Sequence, residues 1–152
     1  MAAIFPRPEP PDVVDQQVEI RQRRQEILRR HDDVPLHVIL DESVLRRPIG
    51  GEEVMRAQLR HLLELTEGLN VTLQVTDYKI GAYAGLGGPF TLFGFAEPMD
   101  LAIVHVENQR SFFLIEDEDD IRHYEVVFHR VQKSALPVAD SSALVKRIAE
   151  GL

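Results

Sequence analysis

Residues 70–96, NVTLQVTDYKIGAYAGLGGPFTLFGFA, form the segment around which the rest of this chain can be organised. Apolar and polar residues alternate over 71–76, the period-two pattern of a half-buried β-strand. A second strand is predicted over 90–95, because aromatic residues favour extended backbone. The loop between these strands is rich in glycine, which lets a ligand or a neighbouring chain approach the backbone closely. The segment therefore predicts two strands joined by a candidate binding loop.

The glycine-rich loop is the first candidate site, because its tyrosine and lysine side chains supply hydrogen-bond donors and a movable charge. Loops of this length are uncommon in compact domains. A long hairpin connection without chemistry would have the same composition, so both interpretations stay open. If the loop covers a hollow, we expect these residues to contact a ligand: Gly85, Gly88, Phe90, Phe93, Phe95 and His37.

A second set of side chains is suited to proton transfer near the same loop. Asp41 and Glu42 follow a short apolar strand, residues 36–40, and carboxylates at a strand end either line a site or cap the next segment. His37 and His105 lie in predicted strands, where a lone histidine either faces a cavity or takes one hydrogen bond in the core. In an enzyme, we expect Tyr78, Lys79 and Tyr83 to place and polarise a substrate carbonyl or hydroxyl. His105, Asp41 or Glu42 would then move protons.

The composition limits the classes of protein to consider. The chain has 152 residues, 44 % of them hydrophobic, which suffices for one globular domain with its own core. Cysteine is absent, which excludes disulfides and cysteine-ligated metals and agrees with a cytoplasmic location. A formal net charge of −8 argues against nucleic-acid binding by this chain alone. No apolar run approaches the roughly 20 residues of a membrane span, so we expect no membrane association.

The N-terminal part of the chain is predicted to be an arm followed by a helix. Four prolines among its first residues indicate an extended arm over residues 1–11, and residues 12–152 are expected to form a single domain. The helix reaches about Arg30 and combines a thin apolar stripe with many arginines. This composition is typical of a solvated surface helix. The alternative is a docking face for a small acidic protein partner.

The remaining pattern predicts an α+β fold. A strong helix from Gly51 to Gly68 lies between the strands 36–40 and 71–76, so these three segments form a βαβ unit. A hairpin over 101–115 adds two strands, and a second long helix follows it. The expected architecture is a mixed, mostly antiparallel five-stranded sheet packed by two long helices, with further helices at the N and C termini.

Sequence motifs for the common cofactors are missing. The loop lacks the Gly-x-x-x-x-Gly-Lys-Ser/Thr pattern of a phosphate-binding loop, and the chain has no Gly-x-Ser-x-Gly nucleophile motif. The six histidines do not fall at metal-ligand spacing. The acidic run 116–120 lacks the spaced ligands of a calcium loop and suits the N-terminus of the helix that follows. We therefore expect neither a cofactor nor a metal ion.

Several stretches taken together resemble one actinobacterial protein family. They are LHVILDESVLRRPIGG at 36–51, NVTLQV at 70–75, GAYAGLGGPFTLF at 81–93, and Glu116-Asp117. The family is the domain of unknown function that follows the helix-turn-helix in Xre-type, antitoxin-like transcriptional regulators. The resemblance implies a sensing or partner-binding module with no known catalytic residues. A helix-turn-helix is absent from this sequence, so we expect the chain to act without its own DNA-binding region.

Three functions remain open from the sequence. The first is a domain of regulator origin that binds a small organic ligand or a protein partner. The second is a stand-alone biosynthetic enzyme, a cyclase or isomerase of a natural-product pathway. Asp77, Lys79 and Tyr83 stand where the resembled family usually has proline, serine and histidine, and these replacements favour the enzyme. The third is a structural interaction module, for example a homodimer that pairs exposed sheet edges.

Overall fold

A computed structural model of the chain describes residues 10–30, 34–68, 70–95, 102–108 and 111–152. The helices in these ranges are α1 (Pro11–Arg30), α2 (Glu42–Arg46), α3 (Glu52–Gly68), α4 (Glu118–Ser134) and α5 (Val138–Gly151). The strands are β1 (Leu36–Asp41), β2 (Val71–Thr76), β3 (Thr91–Phe93), β4 (Ile103–Glu107) and β5 (Phe112–Ile115). Two short 3₁₀ turns, Tyr78–Ile80 and Ala84–Gly87, lie in the glycine-rich loop.

The described strands form two separate sheets. β1 and β2 pair in parallel, from Leu36 opposite Val71 to Asp41 opposite Thr76. β3, β4 and β5 form an antiparallel sheet with β4 in the middle. The predicted α+β class agrees with this arrangement. The predicted architecture, a single five-stranded sheet packed by two long helices, is wrong.

Helix α4 packs against strands of both sheets, contacting β2 and β4. The ring of Phe128 meets His37 of β1 edge-on at a centroid distance of 5.4 Å, and Tyr124 lies 5.0 Å from the ring of Phe90. On the edge of β2 that faces away from β1, the backbone N–H and C=O of Val75 are already bonded to Oγ of Ser141 and to the N–H of Leu136. At this point no strand of the other sheet can pair with β2.

The predicted βαβ unit is confirmed, and it contains the main core. Helix α3 connects the parallel strands β1 and β2 and packs with α5. Leu59 of α3 is 1 % exposed, and Leu73, Val75 and Val145 are 0 % exposed. Each side chain of this kind stabilises the fold by about 1.5–3 kcal/mol when it is fully buried. The core thus lies between α3, β2 and α5.

The start of α5 is fixed against β2 by polar contacts as well as by packing. The backbone N–H of Val75 donates to Oγ of Ser141 at 2.9 Å, and Ser141 is fully buried. The backbone N–H of Leu136 donates to the carbonyl oxygen of Val75, also at 2.9 Å. These bonds place the C-terminal end of β2 beside the first turn of α5.

The predicted N-terminal helix is confirmed, because α1 begins at Pro11 and ends at Arg30. Proline is favoured at a first helical position. The predicted arm lies outside the described residues except for Pro10 and Pro11. Ile20 is exposed, and the exposed Arg23 pairs with Glu19 at 2.6 Å, as expected for a surface helix. The docking of an acidic partner on α1 stays a prediction.

Candidate functional site

The parallel pairing of β1 and β2 brings the C-terminal ends of both strands to one place. Asp41 lies opposite Thr76, so α2 and the turn Tyr78–Ile80 start side by side. Asp41 caps α2, because its Oδ1 accepts the backbone N–H of Ser43 at 2.8 Å. The structure thus places Asp41 and Glu42 at a sheet end, next to the first turn of the glycine-rich loop.

Glu42 is a buried carboxylate with partners for both oxygens. Its Oε1 accepts hydrogen bonds from Nε and Nη2 of Arg46, both at 2.6 Å. Its Oε2 accepts the backbone N–H of Tyr78 at 3.0 Å. The guanidinium of Arg46 in turn lies over the Tyr78 ring, with 6.0 Å between Cζ and the ring centre. Glu42 therefore holds Arg46 and Tyr78 in place and is not a free base.

Arg46 and Tyr78 border a cleft of about 510 Å³ between α2, the turn Tyr78–Ile80 and α5. Small-molecule sites usually measure about 300–1,000 Å³. Leu144 contributes to the α5 wall, and Arg147 lies almost one turn further along the same helix. A smaller hollow of about 170 Å³ is bordered by Arg46, Leu144 and Arg147 as well, so the two cavities are neighbours.

Several charged side chains on the cleft make no bond to another side chain that the structure describes. Lys79 and Asp77 flank Tyr78, and Asp140 and Arg147 lie on α5. Within the described part of the chain, none of these four side chains makes a hydrogen bond or an ion pair. Uncommitted charges on a concave wall are available to a ligand.

Tyr83 is not on the cleft wall. Its hydroxyl donates to Oδ2 of Asp41 at 2.9 Å and accepts from Oγ1 of Thr76 at 3.2 Å. Burial raises the pKa of the Tyr83 hydroxyl above its ordinary value, and the bond to Asp41 raises it further. The hydrogen bonds from Ser43 hold the pKa of Asp41 below its ordinary value. At neutral pH the pair is a protonated phenol and an ionised carboxylate, which suits a fixed hydrogen bond.

The glycine-rich loop packs on Tyr83 and not over a ligand cleft. The ring of Tyr83 fills the space in which a side chain on Gly85 would lie. Gly88 has a φ of 121°, a conformation that favours glycine, and it faces open space. Neither glycine borders the cleft. The cleft instead forms beside the first turn of the loop, which contributes Tyr78 and Lys79 from the predicted set.

The other predicted site residues lie elsewhere. His37 is hydrogen-bonded to Oε1 of Gln74 at 2.8 Å, and His105 lies on β4 against a phenylalanine ring of β5. Phe93 ends β3, and Phe95 lies beyond it, because the strand is shorter than the predicted 90–95. Both phenylalanines are about half exposed. None of these four residues borders the cleft.

Sequence reasoning missed the part of the site that comes from helices. Arg46 follows Glu42 at the i,i+4 spacing of a helical ion pair, and this signal was present in the sequence. Asp140 and Arg147 are seven residues apart and share one face of α5. No local signal shows that this face of α5 meets α2, because the contact depends on tertiary packing.

The described residues offer neither a metal centre nor a membrane-spanning helix. No group of three or more histidine, aspartate or glutamate side chains within the described ranges is arranged to hold a metal ion. No helix in those ranges is long and apolar enough to cross a membrane.

Comparison with known proteins finds one family. No curated protein and no solved structure has a significant match to the chain. A family model described as a domain of unknown function, DUF5753, matches residues 1–147. The match covers nearly the whole sequence and agrees with the resemblance to a domain of unknown function. The chain therefore belongs to the DUF5753 family.

Proposed function

We propose that this chain is a small-molecule-binding domain of transcriptional-regulator origin, and that its ligand lies in the cleft between α2, the turn Tyr78–Ile80 and α5. One observation carries the proposal: a cleft of about 510 Å³ bordered by charged side chains that have no partner among the described residues. The regulator origin rests on the sequence resemblance to the domain that accompanies Xre-type helix-turn-helix regions.

The walls of the cleft have the mixed chemistry of a binding site. Tyr78 is 60 % exposed and offers an aromatic face, and Leu136 and Leu144 add apolar surface. Arg46 is already oriented by its two bonds to the buried Glu42. An oriented charge loses little conformational freedom when a ligand binds, which increases affinity.

The position of the cleft in the fold supports the same proposal. β1 and β2 run in parallel, and the cleft lies just beyond their C-terminal ends. In open α/β sheets, ligands bind outside the carboxyl ends of the strands. The sheet here has only two strands, so the comparison concerns the local βαβ unit.

The alternative function, a cyclase or isomerase, has less support. Two of its candidate residues, Tyr83 and Asp41, are bonded to each other off the cleft, and their pKa values are shifted in opposite directions away from neutrality. A general acid or base works best with a pKa near the working pH. Tyr78 and Lys79 do border the cleft, and a binding role accounts for both.

A second candidate function is self-association through the three-stranded sheet. β5 is an edge strand, and its consecutive residues Phe112, Phe113 and Leu114 are 63 %, 56 % and 55 % exposed. Alternate residues of a strand share a face, so Phe112 and Leu114 lie on one face of this sheet together with the half-exposed Phe93, and Phe113 lies on the other face. With about 200 Å² for a phenylalanine side chain, Phe93, Phe112 and Leu114 present roughly 300 Å² per chain. Two copies would bury roughly 600 Å², the range of a weak or transient interface. We therefore propose a weak dimer of two identical chains.

A thermal-shift screen tests the small-molecule proposal. A set of small acids, amines and aromatic compounds is added to the wild-type chain and to the Arg147→Trp variant, whose bulky ring narrows the cleft. Arg130→Trp on the exposed side of α4 is the matched control. We expect compounds that raise the Tm of the wild type and of the control but not of Arg147→Trp. Equal shifts in all three proteins would contradict a site in this cleft.

A further inference from the structure

The charges around the cleft are separated along α5. Asp140 lies in the first turn of this helix, and Arg147 lies seven residues later, about 10 Å along the helix axis. Arg46 borders both the cleft and the smaller hollow, together with Arg147. The smaller hollow extends to the last residues of the chain, Gly151 and Leu152, so Arg46 and Arg147 mark the end of the cleft nearest the helix C-terminus.

The opposite end of the cleft is acidic. The bonds of Val75 to Leu136 and Ser141 fix the end of β2 beside the first turn of α5. Asp77 follows Val75 by two residues, and it therefore lies near the same helical turn as Asp140. Both carboxylates lack a partner among the described residues. One end thus presents two carboxylates, and the other presents Arg147 together with Arg46, whose guanidinium is also bonded to Glu42.

The middle of the cleft contributes less charge of its own. The negative charge of Glu42 is compensated by Arg46, and Leu144 and the ring of Tyr78 supply apolar surface. Lys79 borders the cleft from the turn that also carries Tyr78. An extended ligand would therefore meet an acidic end, an apolar middle and a basic end in that order.

We infer that the ligand of this cleft is a peptide-like zwitterion of about three residues, with its ammonium group at Asp140 and its acid group at Arg46 and Arg147. This inference rests on the proposed small-molecule function. An extended peptide spans about 3.5 Å per residue, so the termini of a tripeptide lie about 10 Å apart, which matches the distance along the helix axis between Asp140 and Arg147. An arginine side chain binds a carboxylate through two parallel hydrogen bonds.

Calorimetric titration with alanine peptides tests this assignment. The probes are dialanine, trialanine and hexaalanine, together with trialanine acetylated at its N-terminus and trialanine amidated at its C-terminus. We expect trialanine to bind best, and each capped form to bind about tenfold more weakly because it loses one charged hydrogen-bonding group. Equal binding of free and capped trialanine, or no heat at millimolar trialanine, would overturn the inference.

Matched variants assign each end of the peptide. Arg147→Gln should weaken trialanine but not the amidated form, and Asp140→Asn should weaken trialanine but not the acetylated form. Lys146→Gln and Glu150→Gln change exposed neighbours on α5 that do not border the cleft, so they should leave binding unchanged. Equal effects of Arg147→Gln and Lys146→Gln would overturn the assignment.

The failure of this inference can be told apart from a failure of the proposed function. If no peptide binds while another compound stabilises the wild type and Arg130→Trp but not Arg147→Trp, the zwitterion is wrong and the cleft remains a binding site. If no compound of any class distinguishes these proteins, both proposals fail.

Discussion

The ring of Tyr83 lies so close to Gly85 that even a methyl group on Gly85 would overlap it. Because Gly85 has no side chain, the ring of Tyr83 can pack directly against the backbone of the glycine-rich loop. The contact also connects a loop glycine to the strand ends, because the Tyr83 hydroxyl is bonded to Asp41 and Thr76.

Substitution Gly85→Ala should therefore destabilise the chain. The added methyl group forces the Tyr83 ring to move, and the bond to Asp41 lengthens or breaks, so we expect a loss of about 1–3 kcal/mol in the free energy of unfolding. Gly87→Ala is the matched control, because a methyl group there meets no atom within 4 Å. Urea unfolding of both variants measures the difference, and equal stabilities would show that the Tyr83 contact does not constrain the loop.

Removal of the Tyr83 hydroxyl should change both the stability and its pH dependence. Tyr83→Phe loses two hydrogen bonds, and we expect the free energy of unfolding at neutral pH to fall by about 1–2 kcal/mol. The exposed Tyr78→Phe is the control and should change stability by less than about 0.5 kcal/mol.

The pH dependence follows from the raised pKa of Tyr83. Its contribution is fully present below the ordinary value of 10.0 and is lost as the pH rises through the higher folded-state pKa. The wild type should therefore lose more stability than Tyr83→Phe on going to strongly alkaline pH. The lowered pKa of Asp41 acts at the other extreme: its contribution is lost as the pH falls through a folded-state pKa below 3.8. Parallel alkaline stability curves for the two proteins would contradict the Tyr83 assignment.

A third prediction concerns the attachment of α5 to β2. Ser141→Ala leaves the backbone N–H of Val75 without its buried acceptor, and an unsatisfied buried group costs about 1–3 kcal/mol. Ser142→Ala changes the neighbouring residue, which makes no hydrogen bond with its side chain among the described residues, and should have little effect. The midpoint of urea unfolding compares the two, and a larger effect of Ser142→Ala would refute the role of Ser141.

Self-association through β5 should depend on salt. Each chain carries a formal net charge of −8, so two copies repel each other at low ionic strength, and added salt screens this repulsion. Sedimentation equilibrium should show more dimer at about 0.5 M salt than at low salt. Phe112→Lys should abolish the dimer, whereas Val126→Lys on the exposed face of α4 should not. A chain that stays monomeric at every salt concentration would rule out this interface.

Local sequence patterns predicted the elements well, because their causes are local. Apolar spacing and the terminal Gly68 located α3, and the alternation from Val71 to Thr76 located β2. The parallel pairing of β1 with β2 followed, since a helix connects them.

Longer-range features could not be predicted in the same way. The packing of α4 against both sheets depends on contacts such as that of Phe128 with His37, which are 91 positions apart in sequence numbering. The placement of Arg147 opposite Arg46 likewise depends on how α5 packs. The glycines indicated the region of the site. The cleft lies beside the first turn of the glycine-rich loop, Tyr78–Ile80, whereas Tyr83 is bonded to Asp41 and does not border the cleft.

The most direct test of the binding cleft is to record backbone amide chemical shifts while a compound that raises the Tm, or trialanine, is added to the wild-type chain. We predict that the largest changes fall at Arg46, Tyr78, Asp140 and Arg147, and that they disappear in Arg147→Trp. Changes centred on Gly85–Gly88 or on β5, or no saturable change with any compound, would contradict the proposed site.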